Sequence, residues 1–210
     1  AQLGAAVAKI SHDLRNILAS AQLFADRLEE TDDPLVRRMG PKIVASLSRA
    51  ISLSESTLAF GRVEEPPPRL SRVPLASIVA EIVDGERLAA GEQDISFSED
   101  IPKGMVLRAD GEQIYRVLLN LVRTARQAIA ATGQGGEIGL RAWEDDEAWW
   151  ITVVDTGPGL PPKAREHLFR PFQGGATKGG TGLGLAIAAE LVRGHGGRLE
   201  VRRSDERGTE

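Results

Sequence analysis

The chain has 210 residues, a net charge of -4 and 41% hydrophobic residues, so a sizeable core is available. The acidic balance gives no argument for a nucleic acid or an anionic membrane as partner. With no cysteine and three histidines, disulfides, thiolate metal sites and a dense histidine metal cluster are excluded.

Apolar residues open the chain at Leu3, Val7, Ile10, Leu14, Ile17, Ala21, Phe24 and Leu28, alternating spacings of four and three. That is the seam of a coiled coil or bundle, on a helix of about eight turns. Glu30-Thr31-Asp32-Asp33-Pro34 breaks it, and Pro34 suits the first turn of a second helix capped by Asp32 or Asp33. The second seam runs through Leu35, Met39, Ile43, Leu47, Ile51, Ser54 and Leu58, and ends near Gly61; Pro41 bends or delays its start. Two helices with a short connection form an antiparallel hairpin that leaves one stripe uncovered. Pairing two hairpins into a dimeric four-helix bundle covers it, so a homodimer is expected.

Glu64-Glu65-Pro66-Pro67-Pro68-Arg69 cannot continue a helix and reads as a stiff linker. The expected organisation is a helical module over 1–63, a linker over 64–72 and a second domain over 73–210. In that domain residues 73–90 read as a helix with Leu75, Ile78, Val79, Ile82 and Val83 on one side. Residues 94–98 and 104–108 are short strand candidates. Asp110 caps a helix reaching about residue 131, with Ile114, Val117, Leu118, Leu121, Ala125 and Ile129 as its stripe. Strands over 137–143 and 148–154 flank a turn at Glu144-Asp145-Asp146-Glu147. A helix from Thr181 or Gly182 to about residue 194 and a strand over 197–203 complete the pattern. Antiparallel strands with helices on one face make a two-layer α/β sandwich. Trp143, Trp149 and Trp150 read as core or sheet-face residues.

Two glycine motifs stand out. Asp155-Thr156-Gly157-Pro158-Gly159 follows an apolar strand, and Gly180-Thr181-Gly182-Leu183-Gly184-Leu185 opens a helix. Between them lies a loop over 171–179 containing Gly174, Gly175, Lys178 and Gly179. Glycines let backbone approach a ligand, and a helix entry presents N–H groups to an anion. Lys178 adds a point charge, and Asp155 at a strand end can accept from a ligand amine. Neither a dinucleotide fingerprint nor a P-loop is present.

In their order these motifs resemble those of bacterial sensor histidine kinases, over essentially the whole chain. Their Bergerat-type ATP-binding fold is shared with heat-shock chaperone 90, gyrase B and MutL-type ATPases. His12-Asp13-Leu14-Arg15-Asn16 is similar to the phospho-acceptor box and Asn120-Leu121-Val122-Arg123-Thr124-Ala125 to the asparagine box. The Asp155 and Gly180 motifs are similar to the two glycine boxes, and Phe169-Arg170-Pro171-Phe172 to the phenylalanine box at the lid. The resemblance implies ATP-dependent phosphorylation of His12, transfer to an aspartate of a response regulator receiver domain, and regulator phosphatase activity. It implies ATP and Mg²⁺, with Asp155 on the adenine amine and Asn120, Arg123 and Lys178 on phosphates. Asn120 and Thr124 would hold the metal. Gly157, Gly159, Gly180, Thr181, Gly182, Leu183 and Gly184 would form the nucleotide-binding backbone. Two departures stand against it. Thr124 occupies the place of the family's second metal-binding asparagine, and Ile17 that of a frequent proline in the acceptor box.

His12 lies about 200° around the helix from Ile10 and from Leu14, so it faces away from the seam. Asp13 can orient or deprotonate its ring, and Asn16 follows one turn later on the same face, where the family places a water for dephosphorylation. His167 and His195 read as surface or helix-end residues. The first alternative is an impaired phosphotransferase or regulator-binding scaffold, in which Thr124 spoils the metal site. The second is a chaperone-like or DNA-repair ATPase, disfavoured because Glu112 sits at the start of the asparagine-box helix rather than beside Asn120. No apolar run approaches the roughly 20 residues that span a bilayer, and no signal peptide is visible. The chain opens within a helical pattern without a starting methionine, and is expected to be a cytoplasmic fragment with no membrane contact of its own. The rest of the longer protein could hold a sensor or a membrane anchor.

Overall fold

The structure, a computed structural model, describes residues 65–170 and 183–210, without the side chains of residues 162 and 163. The hairpin with His12, Asp13 and Asn16 lies outside the described residues, as does the loop with Lys178, Gly180, Thr181 and Gly182. The chain divides into the units Ala1–Glu64 and Glu65–Glu210, and the second is described by itself. Its elements are β1 (Ser71–Pro74), α1 (Leu75–Ala90), β2 (Ile95–Asp100), β3 (Val106–Ala109), α2 (Gly111–Ala130), β4 (Gly136–Glu144), β5 (Trp149–Asp155), α3 (Pro162–Arg165), α4 (Gly184–Gly194), β6 (Ser204–Asp205) and β7 (Gly208–Thr209).

The helix expected from residue 73 begins at Leu75 instead. Pro74 biases Val73 toward extended backbone, and the segment before the helix becomes β1. It pairs antiparallel with β3, setting Val73 opposite Leu107, both buried. Pro74 supplies no side-chain cap to α1, and the Leu75 N–H bonds the Met105 carbonyl at 3.2 Å. Leu75, Val79, Ile82 and Val83 are buried at helical spacing. Asp110 caps α2 as expected, its Oδ1 accepting the Gln113 N–H at 3.1 Å.

The larger sheet runs β2-β4-β5-β7-β6. One expectation fails here: β2 and β4 are parallel, while the other pairs are antiparallel. The β2–β4 connection passes through β3 and α2, which is long enough for a crossover. Ile138, Leu140 and Ala142 of β4 turn toward α1 and α2 and form the core with Val79, Ile82, Val83, Leu118, Val122 and Ile129. Each such aliphatic side chain contributes about 1.5–3 kcal/mol by leaving water. The opposite face carries Trp143 against Trp150, stacked with centroids 6.0 Å apart. Trp150 Nε1–H donates to Asp145 Oδ2 at 2.6 Å. The tryptophans are thus sheet-face and turn residues.

The strand expected over 197–203 is also corrected. Strand pairing falls later, in the two-residue β6 and β7. Arg202 and Arg203 meet Glu210 through backbone bonds at the open end of this hairpin. Alternating apolar residues alone do not make a strand; a ladder partner does.

Candidate nucleotide site

Asp155 ends β5, where the sheet gives way to the first glycine loop. Its side chain is 8% exposed. Oδ1 accepts the Gly157 N–H at 2.7 Å, and the Thr209 N–H also bonds the carboxylate. Burial outweighs these bonds and raises the Asp155 pKa above the ordinary carboxylate value. A buried carboxylate with lone pairs to spare is suited to a donor such as an exocyclic amine.

The hairpin of β6 and β7 braces this loop. Asp155 pairs with Thr209 in the ladder. Gly208 has φ 125°, and a Cβ there would collide with the Asp155 carbonyl, so no side chain fits. Gly159, at φ 70°, packs in the same way against the Asp205 backbone. The Leu160 N–H donates to Ser204 Oγ at 2.8 Å, while Arg165 donates to the Leu160 and Ser204 carbonyls.

Helix α2 forms the opposite wall. Asn120, Thr124, Gln127 and Ala128 share one stripe, at i, i+4, i+7 and i+8. A Cβ on Gly157 would lie 3.3 Å from Ala128 Cβ, and one on Gly184 would lie 3.1 Å from Asn120 Oδ1. The stripe therefore links the first glycine loop to the start of α4. Leu183 precedes α4, fully buried, and its carbonyl accepts the Ile187 N–H at 2.9 Å. The first turn of α4 has no acidic residue to neutralise its positive end.

Thr124 Oγ1 donates to the Asn120 carbonyl at 2.7 Å. This bond uses the hydroxyl proton and leaves lone pairs to accept or ligate. Among the described residues no group of three or more His, Cys, Asp or Glu could hold a metal. Asn120 Oδ1 and Thr124 Oγ1 are neutral oxygen donors, which suit a hard divalent cation that takes its remaining ligands from phosphates and water.

Arg123 has a partner that the sequence did not indicate. Its Nε lies 3.4 Å from Glu86 Oε1, while Arg126 Nε lies 2.6 Å from Glu86 Oε2. Both arginines of α2 thus meet one buried carboxylate of α1. His195 is not merely a helix-end residue. Its Nε2 accepts the Asp110 N–H at 3.0 Å and its Nδ1 lies 2.8 Å from the Leu191 carbonyl, which together define the Nδ1–H tautomer. His167 Nδ1 is buried with no hydrogen-bond partner among the described residues.

Sequence reasoning missed Thr209, whose N–H bonds the Asp155 carboxylate. Thr209 carries no local signal, because only the ladder brings it to Asp155.

Residues 109–210 match the family described as histidine kinase-, DNA gyrase B-, and HSP90-like ATPase, and residues 2–66 match the His Kinase A (phospho-acceptor) domain. The chain is 31% identical over 205 residues to the sensor-like histidine kinase SenX3 of Mycolicibacterium smegmatis, covering 93% of this chain and 52% of the relative. It is 31% identical over 206 residues to the sensory histidine kinase/phosphatase NtrB of Salmonella typhimurium, covering 91% and 56%. The chain thus spans about half the length of these curated relatives. Among solved structures, full-length ShkA in complex with AMPPNP is similar at a TM-score of 0.73 and 26% identity, over 97% of this chain and 43% of that one. Histidine kinase ThkA in complex with response regulator protein TrrA is similar at 0.66 and 25%, over 99% and 59%. The relatives are kinases, so the impaired-scaffold and chaperone-like alternatives are not favoured. A phospho-acceptor domain at one end and this ATPase fold at the other, in that order, make the chain a member of the sensor histidine kinases and the catalytic core of one.

Proposed function

We propose that the chain binds ATP in the site between Asp155 and Asn120, phosphorylates its own His12, and passes the phosphoryl group to an aspartate of a response regulator. The observation that carries this reading is the single wall joining Gly157, Ala128, Asn120 and Gly184 beside the buried carboxylate of Asp155. Asp155 accepts the adenine amine. The glycine backbone at 157, 159 and 180–184 follows the nucleotide, and Lys178 adds positive charge toward its phosphates. Asn120 and Thr124 hold Mg²⁺, which offsets phosphate charge when bound. Asp13 orients the His12 ring and receives its proton. The ring nitrogen attacks the γ-phosphorus in line, the N–P bond forms, the P–O bond to ADP breaks, and ADP leaves. Asn16 places water when phosphate is removed from the regulator.

The module assignment belongs to this proposal: acceptor hairpin over 1–63, linker over 64–72 and ATP-binding domain over 73–210. So do the homodimer formed through the hairpin and the placement of this part of the protein in the cytoplasm. No helix of the described residues is long and apolar enough to cross a membrane. The test is incubation with γ-labelled ATP and Mg²⁺. Acid-labile label on the protein, absent from His12→Ala, supports the reading; label persisting in that variant overturns the acceptor assignment.

A further inference from the structure

The proline segment reads from sequence as a stiff linker, and the structure holds it down at several points. Glu65 Oε1 accepts from Arg116 Nη2 at 2.8 Å and Oε2 from Arg116 Nη1 at 3.1 Å, a bidentate pair on the second turn of α2. The Glu65 side chain is only 9% exposed. Gln113 is buried, and its Nε2 donates to the Pro66 carbonyl at 3.0 Å. The Arg69 N–H donates to Asp110 Oδ2 at 2.9 Å. Pro68 lies over Gly194, at the end of α4.

Asp110 is the hub of this arrangement. Its carboxylate serves both the strap and the cap of α2, while its own N–H reaches His195 at the end of α4. The bond from the Arg69 backbone is the largest cause lowering the Asp110 pKa, so the carboxylate stays charged as an acceptor. The Glu65 carboxylate leaves water only by taking a bidentate partner, and the Gln113 amide is buried against a strap carbonyl that it bonds, so both polar groups are matched to the docked strap.

We propose that residues 65–69 form a latch that holds the start of the ATP-binding domain closed against α2, with Glu65–Arg116 as its releasable clasp. Docked, the strap adds nothing to the reach of the domain. Undocked, five residues of extended proline-rich backbone add about 15 Å of tether. Opening the latch therefore widens the range over which the domain delivers its nucleotide and raises the rate of phosphorylation. The rate part rests on the proposed function; the docking itself does not.

The full chain carrying Glu65→Arg sets like charges at the clasp, and the swap Glu65→Arg with Arg116→Glu restores opposite ones. Amide exchange at Arg69 reports docking, and exchange at Val122 reports the core. The expected result is protection of Arg69 in the original chain, its loss by about tenfold or more in Glu65→Arg with Val122 unchanged, and its return in the swap. His12 phosphorylation at saturating ATP rises at least about threefold in Glu65→Arg and falls back in the swap. An Arg69 amide that already exchanges freely in the original chain overturns the latch. So does a rate that is unchanged or lower once Arg69 is released. If no protein phosphorylates itself, the proposed function fails, while Arg69 exchange and its rescue by the swap still decide the docking.

Discussion

Gly184 and Asn120 sit so close that a methyl group on the first would stand 3.1 Å from Oδ1 of the second. The start of α4 and the asparagine of α2 thus form one surface. In Gly184→Ala the Asn120 amide must give way by a few tenths of an ångström, while the helix gains up to about 1 kcal/mol of propensity. Stability should therefore change by less than about 1 kcal/mol and ATP affinity should fall by about tenfold. Thermal unfolding together with calorimetric titration separates the two effects.

Asp155 gives a pH signature. Its folded pKa is raised, so the folded state binds the proton more tightly than the unfolded chain does. Its contribution to stability is fully present below the ordinary carboxylate pKa and is lost as pH rises through the raised folded value. Asp155→Asn removes the burden of a buried charge, and should melt higher than the original chain at neutral pH. The same variant should lose about a hundredfold in ATP affinity, because an amide oxygen replaces the anionic acceptor. In the original chain, ATP affinity should weaken as pH falls through the folded pKa. Denaturant titrations and ATP titrations over a pH series check both arms.

Thr124 contributes one hydroxyl, already donating to the Asn120 carbonyl. Thr124→Val keeps the branched shape and removes the oxygen. Unfolding free energy should stay within about 1 kcal/mol, because the helix retains its backbone bond. The Mg²⁺ concentration for half-maximal phosphorylation should rise about tenfold. An unchanged Mg²⁺ requirement would remove Thr124 from the metal site.

Glu86 is a buried carboxylate shared by two arginines of α2, one largely buried and one half exposed. Glu86→Ala should cost about 2 kcal/mol by stranding Arg126. Arg123→Ala should cost less than about 1 kcal/mol, since that pair is partly screened by water. ATP affinity should stay within about twofold in Arg123→Ala if its ion pair is its whole role. Urea unfolding and nucleotide titration of the two variants give the comparison.

The core helices were legible because burial repeats at helical spacing: Val79, Ile82 and Val83 in α1, and Val117, Leu118, Ala125 and Ile129 in α2. The Asp110 cap was legible because its bond spans three residues. Elsewhere the sequence carries no signal for partners that are remote in the chain. The parallel β2–β4 ladder, the hairpin that places Thr209 beside Asp155, and the Arg123–Glu86 pair each join segments far apart in the chain.

From the sequence alone come the order of the modules, the two glycine motifs, the aspartate that ends β5 and the asparagine motif of α2, because each is written in adjacent residues. Tertiary structure alone decided what those residues face. It buried Asp155 and shifted its pKa, turned Arg123 to Glu86, and docked the proline strap on Gln113 and Arg116. The physical reason is that hydration, charge pairing and the reach of a side chain depend on neighbours that only folding brings together.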